Sequence, residues 1–218
     1  MAFIVFEGGE GAGKTTQLEF LHKALKKQGK ICLLTREPGG TPFAEQIRSL
    51  FKQVDPSIES PLPLTELLLV SASRAQHVAK VIQPELGEKK IILCDRFLDS
   101  TYVYQSILGK IPKQTIDKIS HIFLEDLVPD LTFIFSADLD IALQRMAKEK
   151  KRTLDRMDSQ EKEIHQVIKE GYTKIYQERY TYPNGKVPNR VLIDANQSKE
   201  QIHMQIKVAL EKHLGISI

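Results

Sequence analysis

Residues 8–15 read Gly8-Gly9-Glu10-Gly11-Ala12-Gly13-Lys14-Thr15 and fit the pattern G-x-x-x-x-G-K-[ST]. Glycines at these positions let the backbone turn tightly and approach a ligand closely. The loop amides then converge, and a helix N-terminus behind them adds partial positive charge. That combination binds phosphate. Lys14 is placed to reach the outer phosphates of a nucleotide, and the Thr15 hydroxyl to meet a divalent cation.

Further candidates follow other apolar runs. Asp95 and Arg96 come directly after Ile91-Ile92-Leu93-Cys94. A carboxylate at a strand end can meet Mg²⁺ or its water, and equally serves as a turn residue. An arginine beside it can bind phosphate through two parallel hydrogen bonds. Thr35-Arg36-Glu37-Pro38-Gly39-Gly40-Thr41 follows a second run, and its Pro-Gly-Gly forces a stiff turn with free amides. Arg48 and Arg74 fall on helical segments, where an isolated arginine reads equally well as solvated. Ser71-Ala72-Ser73 before Arg74 leaves room for a ligand. Ser100-Thr101-Tyr102-Val103-Tyr104-Gln105 offers groups to read a base edge and bound a sugar, or simply starts an amphipathic helix. Lys148, Lys150, Lys151, Arg152 and Arg156 make a basic run. On charge alone it is a solvated loop. As a closing loop it would exclude water and bring arginine to a transferring phosphoryl group.

These residues need a scaffold. Phe3-Ile4-Val5-Phe6 predicts a buried strand ahead of the glycine loop, and Leu18, Leu21 and Leu25 predict a helix behind it. Further strands are expected at residues 31–35, 91–94, 131–135 and 190–194. Helices are expected at 43–51, 64–86, 99–107, 112–126 and 139–150, then up to about 180, and last at the C-terminal end. Short apolar strands alternating with helices specify an α/β fold, a parallel sheet covered on both faces. Right-handed crossovers bring residues 8–15, 35–41 and 95–96 to one crevice.

The bulk composition sets bounds. The chain has 218 residues, enough for one α/β domain. Net charge is +3, too mild to indicate a nucleic-acid partner. Cys32 and Cys94 lie in apolar runs without zinc spacing, as expected of a reduced cytoplasmic protein. The first strand begins almost at Met1, leaving no signal peptide, and no apolar stretch approaches the roughly 20 residues of a membrane span. A GTP-dependent switch needs D-x-x-G and N-K-x-D, and neither string occurs.

Taken in order, residues 7–16, the T-R-E-P-G-G-T segment, Asp95-Arg96-Phe97, Ser100-Thr101, Tyr104-Gln105, Pro129-Asp130-Leu131 and Leu154-Asp155-Arg156 resemble bacterial thymidylate kinases over about residues 2–195. The resemblance implies a three-layer P-loop NTPase fold with a five-stranded parallel sheet. It implies a single kinase domain over residues 1–218 with a lid at about 146–160. The implied reaction is ATP + dTMP → ADP + dTDP with Mg²⁺, by a cytoplasmic homodimer without nucleic-acid or membrane partners.

By the same resemblance, residues 8–16, including Thr16, hold ATP, with Thr15 and Asp95 near Mg²⁺. Glu10 approaches the acceptor, and Glu37 belongs to its pocket. Arg48 and Arg96 bind the dTMP phosphate, and Arg74 reads thymine O4. Ser100, Thr101 and Gln105 line the base and sugar pocket, and Tyr104 crowds the 2′ position. Catalytic charge falls to Lys14, Arg96 and a lid arginine, Arg152 or Arg156. Gly11 stands where eukaryotic-type enzymes carry a loop arginine. One departure is Val70, where the family has a phenylalanine that stacks on thymine; Phe97 or Leu67 is the alternative source of that contact.

Overall fold

The computed structural model describes residues 1–52, 57, 59–148 and 162–218, without the Phe51 side chain. Five strands form one parallel sheet: β1 (Ala2–Gly8), β2 (Cys32–Arg36), β3 (Ile91–Asp95), β4 (Leu131–Ser136) and β5 (Arg190–Asp194). Their order is β2-β3-β1-β4-β5. The chain therefore runs outward to one side of β1 and later to the other. The loop after β1 leaves the sheet between β3 and β4, where open α/β sheets bind ligands.

Alternation along the strands sorts two cores. Phe3 and Val5 of β1, with Ile92 and Cys94 of β3, face one cluster, while Ile4, Phe6, Ile91 and Leu93 face the other. Helix α1 (Lys14–Lys27) buries Leu18, Leu21 and Leu25 on the second face, beside α9 (Lys199–Leu214). Helix α9 starts at a Ser198–Gln201 capping box and ends at Gly215. The first face is covered by α3 (Pro63–His77), α6 (Lys113–Leu124) and α8 (Lys162–Gln177). Helix α2 (Pro42–Lys52) lies on α3, and α7 (Leu139–Lys148) follows β4.

The expected helix at 64–86 is present as a continuous run. Helix α3 passes through a π-helical turn, Val78–Ile82, into α4 (Gln83–Gly87). The expected helix at 99–107 is different in kind. It is a short α5 (Leu98–Thr101) that widens into a π-helical segment, Tyr102–Leu108. Such wide turns cluster at functional sites because they re-aim side chains. Here Tyr104 reaches Glu10, while Tyr102 reaches Asp117. The helix expected at 112–126 stops at Leu124, where Glu125 takes a φ of 49°.

Candidate active site

A cleft of about 1350 Å³ runs along the carboxyl ends of β1, β2 and β3. It is lined by Glu10, Gly11, Gly13, Lys14, Thr15, Thr16, Glu37, Arg48, Val70, Arg74, Asp95, Arg96, Ser100, Thr101, Tyr104 and Gln105. Gly8, Gly9 and Ala12 supply the backbone behind it. Arg152 and Arg156 lie outside the described residues.

At one end stands the glycine loop. Gly11 has a φ of 69°, and a Cβ there would meet the Ala142 carbonyl of α7 at 2.3 Å. Close packing of α7 thus leaves no room for a side chain at this position. Lys14 folds back over the loop, its Nζ donating to the Gly8 carbonyl at 2.9 Å and the Gly9 carbonyl at 2.8 Å. Burial, aided by the nearby Arg96 charge, lowers its pKa to about 8. The Thr15 hydroxyl donates to Asp95 Oδ2 at 3.2 Å, while Asp95 Oδ1 is buried with no protein partner. A hydroxyl beside a carboxylate with an orphaned oxygen suits Mg²⁺, which takes one or two carboxylates and completes its shell with phosphate and water.

The middle of the cleft belongs to Arg96. Register places Phe6 opposite Asp95, so the turn after β3 begins beside the glycine loop. Arg96 sits there in a left-handed conformation, φ 71°, its amide donating to the Phe6 carbonyl. Its Nη2 donates to Glu10 Oε1 at 2.7 Å, and its Nη1 to Ser100 Oγ at 3.2 Å and Tyr172 Oη at 2.9 Å. The Tyr104 hydroxyl shares its one hydrogen between the two Glu10 oxygens, and its ring lies 5.2 Å from the Arg96 guanidinium. Burial pushes the Glu10 pKa up, but the Arg96 and Lys14 charges outweigh it and hold the carboxyl below its ordinary value.

The far end is built around Arg74, which is buried. Its Nε donates to Glu37 Oε2, its Nη1 to Thr101 Oγ1 at 3.0 Å and its Nη2 to the Phe97 carbonyl at 3.0 Å. His77 shares its Nδ1 with Glu37 Oε1 at 2.9 Å and its Nε2 with Thr35 Oγ1 at 2.7 Å. Both Glu37 oxygens are thus occupied. Glu37 lines the cleft, and its two oxygens hold Arg74 and His77 in place. The Pro-Gly-Gly turn locks onto the same frame: the Gly39 amide donates to Ser73 Oγ, and Arg48 Nη1 donates to the Pro38 carbonyl. Arg36 is drawn to the partly buried Glu45. Gln105 Nε2 reaches Glu66 at 3.4 Å.

Val70 lines the cleft, as does Phe97, whose ring stands 5.2 Å from the Arg74 guanidinium. Leu67 is fully buried in the core. Contributors not singled out from the sequence include Arg145, His77, Glu7 and Tyr172. Arg145 on α7 lines the cleft beside the glycine loop, donating to the Ala195 carbonyl at 2.8 Å. One lone arginine in an amphipathic helix gives no sequence signal. His77 is equally silent. Glu7 did leave a signal: it is a carboxylate at the end of an otherwise apolar strand.

Comparison with known proteins identifies the family. The family model described as thymidylate kinase matches residues 6–206. A thymidylate kinase of Halalkalibacterium halodurans is 42% identical over 200 residues, covering 92% of this chain and 91% of its own. One from Symbiobacterium thermophilum is 38% identical over 213 residues, covering 97% and 94%. The crystal structure of thymidylate kinase from Ehrlichia chaffeensis aligns with a TM-score of 0.71 at 31% identity, covering 96% of this chain and 98% of that one. With a phosphate loop at one end of its cleft and caged arginines at the other, the chain belongs to the thymidylate kinase family.

Proposed function

We infer that the chain transfers the γ-phosphoryl group of ATP to dTMP, releasing ADP and dTDP. The observation that carries this reading is the single cleft joining an anion-binding loop to a second set of guanidinium groups. In this reading the loop, with Lys14, holds the ATP phosphates. Arg96 and Arg48 hold the dTMP phosphate, and Arg74 donates to the base. Thr101, Tyr104 and Gln105 bound the nucleoside, with Val70 against the ring.

A dTMP phosphate oxygen attacks the γ-phosphorus in line with the departing ADP. No general base is required, because a phosphate monoester is mostly a dianion at pH 7. Catalysis is positioning and charge neutralisation. Lys14 and Arg96 supply charge from the described residues. Thr15 and Asp95 would hold Mg²⁺, which supplies neutralisation of the phosphate oxygens when bound.

Residues 146–160 act as the lid of this one kinase domain, supplying Arg152 or Arg156 to the transferring group. Support comes from their anchors: Arg145 and Lys148 line the cleft, and α7 packs on Gly11. Arg156→Ala should lower kcat by roughly 10²–10³, as for other lost transition-state donors. Arg152→Ala tests the competing assignment, and unchanged turnover in both removes the lid role.

The enzyme works in the cytoplasm as a homodimer. Support for the dimer is an exposed apolar face on α2 and α3: Phe43, Leu50, Leu64 and Leu68 are each more than half exposed. Light scattering should give twice the 24.8 kDa chain mass, and Leu68→Glu should halve it.

The decisive test of activity is ADP release with dTMP, dUMP, UMP, dCMP and dGMP. The highest kcat/KM is expected for dTMP. A higher value for any other acceptor overturns the reading.

A further inference from the structure

Glu7 is a fully buried carboxylate inside the sheet, next to the phosphate loop yet on the opposite face from its strand neighbour Phe6. Parity along β1 sends it to the side where the turn after β3 and helix α8 meet. Its Oε1 accepts two backbone amides, Phe97 N at 2.7 Å and Ser100 N at 3.1 Å. Its Oε2 accepts two hydroxyls, Ser100 Oγ at 2.6 Å and Tyr172 Oη at 3.0 Å. Those two hydroxyls lie 2.8 Å apart and are the same two that meet Arg96 Nη1.

A hydroxyl has one hydrogen. With Glu7 ionised, Ser100 and Tyr172 both spend theirs on the carboxylate. Only lone pairs are left toward Arg96, a cation with hydrogens to give. The backbone half of the arrangement matters as much. Arg96 holds a φ of 71°, a strained conformation for a residue with a side chain. The two amides gripped by Glu7 lie just beyond it and keep the turn from relaxing.

We propose that Glu7 is a positioning residue for phosphoryl transfer, holding Arg96 through the oriented hydroxyls of Ser100 and Tyr172 and through the Phe97 and Ser100 amides. The proposal rests on the reading of Arg96 as the acceptor-phosphate arginine.

A pH dependence follows. Burial, with the Asp99 charge next, raises the Glu7 pKa from 4.5 to about 7. The groups around it are Asp99, Arg96, Lys14 across the loop, Cys94 on β3, Tyr172 on α8 and Tyr182. Below pH 7 the carboxyl gains a proton that it must donate. One hydroxyl then reverses, its hydrogen turning from the carboxylate toward the other hydroxyl 2.8 Å away or toward Arg96, and the pair no longer offers Arg96 only lone pairs backed by a carboxylate charge.

Glu7→Gln imitates the protonated form. At pH 8 it should lower kcat/KM for dTMP by roughly 10–100-fold, the scale of a hydrogen bond to a charged group, and leave KM for ATP within about twofold. The ratio of wild type to Glu7→Gln should shrink toward one as pH falls from 8 to 5.5, because titration of the substrates cancels in the ratio. Tyr172→Phe should cost several-fold in the wild-type background and little on top of Glu7→Gln. A folded Glu7→Gln with a pH-independent ratio overturns the proposal, as does an equal rise in KM for ATP. If circular dichroism finds Glu7→Gln unfolded, Tyr172→Phe decides alone, and unchanged dTMP kinetics overturn it. Wild-type failure to phosphorylate dTMP would remove the underlying reading. Wild-type activity with an equally active Glu7→Gln removes this inference only.

Discussion

Arg96 Nη2 and Glu10 Oε1 stand 2.7 Å apart, joining the turn after β3 to the phosphate loop. The pair compensates a largely buried guanidinium without using all its donors. Replacing Arg96 with Lys keeps the charge and loses the fork. We expect Arg96→Lys to lower kcat/KM for dTMP by roughly 10²–10³, on the scale of a lost transition-state donor. KM for ATP should change little. Steady-state kinetics with each substrate varied will check this, and an equal effect on both substrates would count against the acceptor role.

Arg74 is held by Glu37, Thr101 and the Phe97 carbonyl, which leaves two guanidinium hydrogens for a ligand. Donors select a keto oxygen over an amino group. Arg74→Gln should reduce kcat/KM for dTMP by roughly 10–150-fold and narrow the preference for dTMP over dCMP. An unchanged preference would take the base-reading role from Arg74.

Gly40 has a φ of 85°, and a Cβ there would stand 2.4 Å from His77 Cδ2. Gly40→Ala should destabilise the protein by more than about 1 kcal/mol. It should also raise KM for dTMP, since His77 shares Glu37 with Arg74. Thermal melts and dTMP kinetics read the two effects, and a melting point equal to wild type would refute the packing argument.

Val70 lines the cleft, and in the proposed reading it lies against the thymine ring. Val70→Phe should lower KM for dTMP by about fivefold, from the roughly 1 kcal/mol that aromatic stacking adds beyond burial. An unchanged or higher KM means that Phe97 or another neighbour already supplies the contact.

Lys14 has a pKa lowered to about 8 by burial and the Arg96 charge. At pH 8.5 much of it is therefore neutral in the free enzyme. ATP phosphates favour the charged form, so ATP binding should take up protons at that pH. Calorimetry in buffers of different ionisation enthalpy measures the uptake. A binding heat independent of buffer would show that Lys14 is already charged.

The sequence by itself determined the parts that depend on local pattern. Glycine spacing and flanking periodicity located the phosphate loop, and the five strands fell within a residue or two of their places. Strand alternation also fixes which face Glu7 takes. Asp95 and Arg96 were legible because strand ends converge in any parallel sheet with right-handed crossovers. Tertiary structure alone decided what these groups do to one another. Glu37 and Glu10 are both carboxylates near glycine turns and both line the cleft, yet Glu37 is held by Arg74 and His77 and Glu10 by Arg96 and Tyr104. The difference comes from His77 and Arg74, 40 and 37 residues further along the chain than Glu37. Likewise Tyr172, 165 residues from Glu7, shares its hydroxyl with Arg96 only because α8 packs against the sheet. Hydrogen-bond direction and pKa depend on neighbours brought together by packing, and a linear pattern carries no record of them.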